Sequence, residues 1–218
     1  MTSATTSRAD TAEWLSGFIP DLPTPFDHRD DIDTEAFGRL CERQIAAGAS
    51  ALVVGEAAGE SSTLEPAERV QLVRIAAGIA RKRVRIIAGA GSNATDRAVT
   101  FTRAAQAAGD TSSLAWLAAG GDGCISAVAN VAPDLHVAVY RHFRAGRLYQ
   151  ARELHQRLVP LASLLEREHP AALKFALALL GFMQPATRLP IVQLGATAKS
   201  ELAQAMAELA DEYLAAAQ

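Results

Sequence analysis

Ala51-Leu-Val-Val-Gly-Glu-Ala-Ala-Gly-Glu-Ser-Ser-Thr-Leu-Glu-Pro-Ala-Glu-Arg69 is the stretch whose reading decides the fold. It opens with an apolar run, Ala51 to Val54, that has the length and β-branched content of a buried strand. Gly55 and Gly59 break that run into a loop. Thr63-Leu-Glu-Pro66 then announces a helix: a threonine available as a cap, a proline suited to the first turn, and acidic residues near the positive end of the helix dipole. Strand, polar glycine-containing loop and helix make one βα unit. In parallel α/β architectures the chemistry sits on such a loop, at the carboxyl end of the strand.

Outward from that unit the same grammar repeats. Upstream, Gly17–Leu22 reads as a short strand. Pro20, Pro23 and Pro25 keep it short and stiffen the loop after it, because proline gives no donor to a ladder. Asp33 or Thr34 caps a helix through Phe37, Leu40, Cys41 and Ile45, which Gly48 ends. Downstream, a helix from about Pro66 to Arg81 is expected to be buried through Val70, Val73, Ile75 and Ile79. Val84–Ala88 is the third strand, Gly89-Ala-Gly-Ser-Asn93 its loop, and a helix follows from Thr95 or Asp96 to Ala108. This β-α-β-α-β-α order implies parallel strands with helices packed outside.

After Gly109-Asp110-Thr111 comes a short helix, Leu114–Ala119, with no strand before it. Cys124–Val131 reads as a fourth strand, and Pro133 starts a helix through Val137, Val139 and Phe143. Beyond Gly146 the pattern is helical: Leu148 to about Glu168, Pro170 to Gly181, and Ser200 to Ala217, with Arg188-Leu-Pro-Ile-Val192 as a connector. The expected organisation is a βα portion, residues 1–146, and a C-terminal helical extension, residues 147–218.

Composition narrows the function classes. A formal charge of −3 with no basic cluster beyond Arg81-Lys-Arg83 argues against general nucleic-acid binding. The polar first residues, Met1 to Ser16, form neither a signal peptide nor a membrane span. Cys41 and Cys124 stand far apart without metal-ligand spacing, so a reduced, cytoplasmic setting is expected. The five histidines show no metal spacing and are expected at the surface or as caps. No metal or other cofactor is expected.

Several stretches together resemble one family. They are Leu22-Pro-Thr-Pro-Phe26, Gly59-Glu-Ser-Ser-Thr-Leu64 with Pro66 and Glu68, Ile87-Ala-Gly-Ala-Gly-Ser-Asn-Ala-Thr95, Gly120-Gly-Asp-Gly-Cys-Ile-Ser-Ala-Val-Ala-Asn-Val-Ala-Pro133, Lys174-Phe-Ala-Leu-Ala-Leu-Leu-Gly181 and Arg188-Leu-Pro190. In this order they resemble the dihydrodipicolinate synthase and N-acetylneuraminate lyase family, pyruvate-handling class I aldolases on a (β/α)8 TIM barrel. The resemblance implies that barrel strands four to seven are missing, since Gly109-Asp110 joins the third helix to the family's seventh. With them would go the Schiff-base lysine and the site tyrosines. The chain has only Lys82, Lys174 and Lys199, one before the third strand and two on the extension, and none is expected to form a carbinolamine. No catalytic residue is therefore assigned.

The resemblance implies a substrate-binding set of Ala57, Ala58, Gly59 and Ile125. Ala57 and Ala58 stand where the family has two threonines that hold the pyruvate carboxylate. Backbone N–H groups could still meet a carboxylate, but the hydroxyl relay is gone. Ile125 aligns with a residue that lines the pocket through its carbonyl. Glu56 either faces that anion site and repels a keto-acid or points to solvent. Gly89-Ala-Gly-Ser-Asn-Ala94 fits a dinucleotide pattern but follows the third strand and lacks a placed acid, so it reads as a plain βα turn. Glu60 and Glu65 are conceivable acid–base groups, with Glu65 more simply serving the helix dipole.

Three residues, Gly109 to Thr111, span at most about 10 Å, too little to bridge a barrel without its middle. The expected sheet is a half-barrel with the fourth strand directly beside the third, leaving the first and fourth strands as free edges. Two copies pairing those edges would close a two-fold barrel, so at least a homodimer is expected. The functional expectation is a catalytically impaired lyase-family chain. Alternatives are keto-acid or small-anion binding, partnership with a full-length homologue, or a lyase that borrows a lysine from another chain.

Overall fold

Short apolar runs between glycine- and proline-rich loops become strands here, and the caps read in the sequence set the helices. The computed structural model describes residues 15–89 and 110–216, with side chains to residue 210. Strands β1 (Gly17–Leu22), β2 (Ala51–Val54), β3 (Arg85–Ala88) and β4 (Gly123–Ser126) form one parallel sheet in the order β3-β2-β1-β4. Helices α1 (Thr34–Ala46) and α2 (Pro66–Ala80) follow the first two strands. The remainder is helical: α3 (Ser113–Ala118), α4 (Val128–Val131), α5 (Pro133–Arg144), α6 (Leu148–Arg167), α7 (Ala171–Leu179) and α8 (Ala196–Ala216). A truncated α/β barrel with a C-terminal helical extension is thus the observed fold. The helix expected over Thr95–Ala108 and the loop from Ala90 to Asn93 lie outside the described residues.

The strand order corrects one expectation. β4 lies beside β1, not beside β3, with Gly17 opposite Gly123 and Ile19 opposite Ile125. The 10 Å limit applied to Gly109–Thr111 alone, whereas the whole connection from Ala88 to Gly123 has ample chain to cross a four-stranded sheet, whose edge strands are about 14 Å apart, three spacings of about 4.8 Å. Specific contacts then fix β4 to β1. A Cβ on Gly123 would stand 2.2 Å from the Gly17 carbonyl oxygen, so only glycine permits this approach. The Asn130 amide donates to the Asp21 carbonyl at 2.6 Å, and the Arg43 guanidinium donates to the carbonyls of Asn130 and, at 2.9 Å, Val131.

A central β1 must also accommodate Pro20. It pairs with β4 through Gly17–Pro20 and with β2 through Asp21 and Leu22, so one missing donor leaves the rest of the ladder intact. Side chains alternate across the sheet. Phe18, Leu22, Leu52 and Val54 join a cluster with Phe37, Cys41, Leu72 and Ala76 of the helices. Ile19, Ala51 and Val53 face the other way, with Ile87 and Ile125 against them, and Asp21 shares that inner face by its spacing from Ile19.

Two local readings also change. The fourth strand stops at Ser126 instead of continuing to Val131. There the Asp110 carboxylate accepts the N–H groups of Ala127 and Val128 at 2.9 and 3.0 Å, and the Ser126 hydroxyl accepts that of Ala129 at 2.9 Å. Those acceptors satisfy the free donors of a helical first turn, so the chain coils into α4. On α2 the buried stripe is Leu72, Ala76 and Ala80, four residues apart, which leaves Val70 49% exposed. Glu65 caps that helix, taking part in a capping box with Glu68. The largest apolar cluster joins Ala36, Leu40, Ala58 and Val128 to Leu161, Leu165, Leu173 and Leu177 of the extension.

Candidate functional site

The loop after β2 turns back over the carboxyl end of β1. Gly59 suits the close approach there: a Cβ would sit 3.1 Å from Gly55 backbone and 3.2 Å from the Leu22 carbonyl oxygen, tight enough that the neighbouring backbone would have to give way. The Thr24 hydroxyl donates to the Gly59 carbonyl at 2.8 Å, and the Ser61 N–H donates to the Glu56 carbonyl at 3.1 Å. This fold-back buries Ala58 completely and turns its N–H inward, while Ala57 remains exposed. Ala58 donates to the Asp21 Oδ2 at 2.9 Å. The other oxygen of Asp21 is buried without a hydrogen-bond partner among the described residues.

Asp21 is therefore an acid sealed at the mouth of the sheet. Burial pushes its carboxyl up to about 7; the Ala58 N–H opposes this, and the nearby charge of Glu56 adds to it. Such a group can hold or release a proton near neutrality. Of the expected binding residues, Ala58 contacts Asp21 directly and Gly59 lies over the neighbouring Leu22 carbonyl. Ile125 lies alongside Ile19, one layer deeper on the same inner face. Asp21 itself was missed in the sequence, although a carboxylate inside a six-residue strand that is otherwise free of charge was a visible signal.

A second buried charge lies on the far side of the loop. Glu60 takes a left-handed backbone conformation, φ 56°, which aims its side chain into the protein. There it forms an ion pair with Lys174, and both side chains are fully buried. Lys174 also donates to the Ala186 carbonyl at 2.6 Å and stands 4.0 Å from the centre of the Phe26 ring. Burial lowers the Lys174 amine to about 8, and the pull of Glu60 opposes that fall. Arg188 covers the same Phe26 ring at 4.1 Å, grips Glu68 with two bonds at 2.7 and 2.8 Å, and offers its backbone N–H to Glu60 at 3.0 Å. The residues read as a connector and an apolar helix thus clamp the extension onto the site loop.

The histidines correct another expectation, since His136 and His155 are buried. His136 Nε2 lies 3.2 Å from the Cys124 thiol and His155 Nε2 lies 3.3 Å from the Asp110 carbonyl. They fill the space between α5, α6 and the end of β4, where a surface position is not available. Burial lowers His136 and raises the Cys124 thiol to about 12, so this pair is a neutral contact and not an activated nucleophile. Among the described residues no group of three or more His, Cys, Asp or Glu could hold a metal ion, and no helix is long and apolar enough to cross a membrane.

Comparison with known proteins agrees with this layout. The family model described as "Dihydrodipicolinate synthetase family" matches residues 14–116 and 109–209. A 4-hydroxy-tetrahydrodipicolinate synthase of Hyphomonas neptunium is 30% identical over 285 positions, covering 88% of this chain and 97% of the relative. Another, from Salinibacter ruber, is 47% identical over 93 residues, covering 43% of this chain and 31% of the relative. The solved 4-hydroxy-tetrahydrodipicolinate synthase of Methylacidiphilum fumariolicum superposes with a TM-score of 0.82 at 24% identity, covering 90% of this chain and 96% of that one. The 285 aligned positions exceed the 218 residues of the chain, so the relative contains a long stretch with no counterpart here. The two segments of the family match meet at residues 109–116, which places the break.

Proposed function

Because the chain belongs to the dihydrodipicolinate synthetase family, we propose that it is a member whose Schiff-base aldol chemistry on pyruvate or a related keto-acid is lost or severely impaired. The observation that carries this reading is the break at residues 109–116, where the resemblance puts the strand with the Schiff-base lysine. The remaining lysines support it. Lys174 is sealed against Glu60, Lys82 is exposed in the turn before β3, at the opposite end of the sheet, and Lys199 lies on α8, 5.5 Å from the Phe175 ring. Incubation with pyruvate and borohydride should leave the intact mass unchanged, alone or mixed with an intact homologue. A stoichiometric reduced adduct on any of the three lysines would overturn the reading.

A second reading keeps the loop as a binding site for a keto-acid or other small carboxylate, through the backbone of Ala57–Gly59 with Ile125 beneath. It is supported by the buried Ala58 N–H, which already holds a carboxylate oxygen at 2.9 Å. Isothermal titration with pyruvate tests it.

The homo-oligomer remains part of the proposal, with different edges. β1 and β4 are paired within one chain, so the edges open among the described residues are β3 and the far side of β4. A two-fold axis along the strands would set β3 of each copy parallel to β4 of the other, giving eight strands. Light scattering showing a folded monomer at micromolar concentration would refute this. A division near Gly146 and a reduced, cytoplasmic setting, with Cys41 and Cys124 both free thiols, complete the reading.

A further inference from the structure

We propose that Asp21 is a built-in ligand of the site loop: its carboxylate occupies the Ala58 N–H, so an incoming carboxylate binds only by displacing it. This rests on the reading of the loop as a carboxylate site. The geometry is specific. Asp21 is 7% exposed and lies on the inner face of a central strand, and its Oδ2 is 2.9 Å from the Ala58 nitrogen. A keto-acid meeting that N–H would have to place its own carboxylate where the Asp21 carboxylate stands. Chain connectivity gives Asp21 the advantage of an intramolecular competitor, present at high effective concentration and already ordered.

The surroundings make the occupancy sensitive to charge. Glu56, on the same loop, is the charge that acts on Asp21, and it disfavours ionisation. Glu60 is spent on Lys174. From α1, Arg43 is held by the carbonyls of Asn130 and Val131, and from α4, Asn130 meets only the backbone of Asp21, with a neutral amide. From α5, His136 packs against Phe18, on the opposite face of β1. β4 brings Cys124, whose burial keeps it a neutral thiol. Among the described residues, therefore, no cation balances Asp21, and its unpartnered oxygen faces no donor. An ionised Asp21 both holds the N–H and repels a second carboxylate; a protonated one is a poorer acceptor and repels nothing.

Two measurements on the full chain test this. In a two-dimensional amide spectrum, the Ala58 N–H of the wild type should shift with pH around a midpoint near 7, and the shift should vanish in Asp21→Asn. In titrations with pyruvate, wild-type affinity should fall about tenfold from pH 6 to pH 8, as the acid ionises. Asp21→Ala should bind at least about tenfold tighter than wild type at pH 8, without that pH dependence. Asp21→Asn, which keeps an acceptor on the N–H but no charge, should lose the pH dependence and bind more weakly than Asp21→Ala. If wild type and Asp21→Ala bind alike at every pH, the occupancy is refuted while the carboxylate site stands. If no variant binds pyruvate but the Ala58 amide follows pH near 7, the carboxylate reading fails and the occupancy holds. An Ala58 amide indifferent to pH in the wild type refutes the occupancy whatever the titrations give.

Discussion

Replacing Asp21 with asparagine should make the protein more stable above neutral pH, by a margin that builds between pH 4 and 7. An unfolded aspartate titrates near 3.9, whereas burial holds the folded Asp21 carboxyl at about 7. Between those values the folded chain binds more protons at this site than the unfolded chain. Stability contributed by the neutral acid is therefore complete below about pH 4 and is lost as pH rises toward 7. At 1.36 kcal/mol per pH unit, the loss reaches about 4 kcal/mol above pH 7. Asparagine cannot ionise, and its carbonyl can still accept the Ala58 N–H. Its NH2 would take the place of the unpartnered oxygen, a cost of about 1–3 kcal/mol that does not vary with pH.

Urea unfolding of wild type and Asp21→Asn at pH 4, 5, 6, 7 and 8 checks this, because every other titrating group cancels in the difference. The difference should rise in favour of the variant from pH 4 to 7 and then level off. A flat difference, or one that favours wild type more at higher pH, would show that Asp21 has a cationic partner in solution. That result would refute the account of the site.

Lys174→Met should destabilise the fold by about 3–5 kcal/mol, since Glu60 would be left buried without its cation. Adding Glu60→Gln should recover much of that loss in denaturant unfolding; a neutral Lys174→Met would refute the clamp. Asn130→Ala should cost about 1–3 kcal/mol by orphaning the Asp21 carbonyl and loosening β4 from β1, seen as faster amide exchange in both strands. Cys41 and Cys124, both raised to about 12 by burial, should resist alkylation at pH 8 in the folded chain and react promptly in urea, followed by mass spectrometry.

Much of the fold was legible because it is written in short-range patterns. Alternation and apolar runs gave the strands, Asp33 and Pro133 sit at the helix starts where capping chemistry puts them, and the family motifs appear in order. The exception at β4 arose because Val128–Val131 is β-branched in composition but receives its cap from Asp110 and Ser126. The site loop was legible through Gly55 and Gly59.

Amino-acid order alone determined most of the element types, the family, and the small number of lysines. Only the tertiary structure decided which strands share an edge, what meets the Ala58 N–H, and what neutralises Glu60. Those outcomes depend on partners far apart in the chain, Gly17 with Gly123, Asp21 with Ala58 and Asn130, Glu60 with Lys174. A side chain's local spacing fixes the face on which it lies, but the free energy of a buried charge is set by whatever the fold brings within about 3 Å of it.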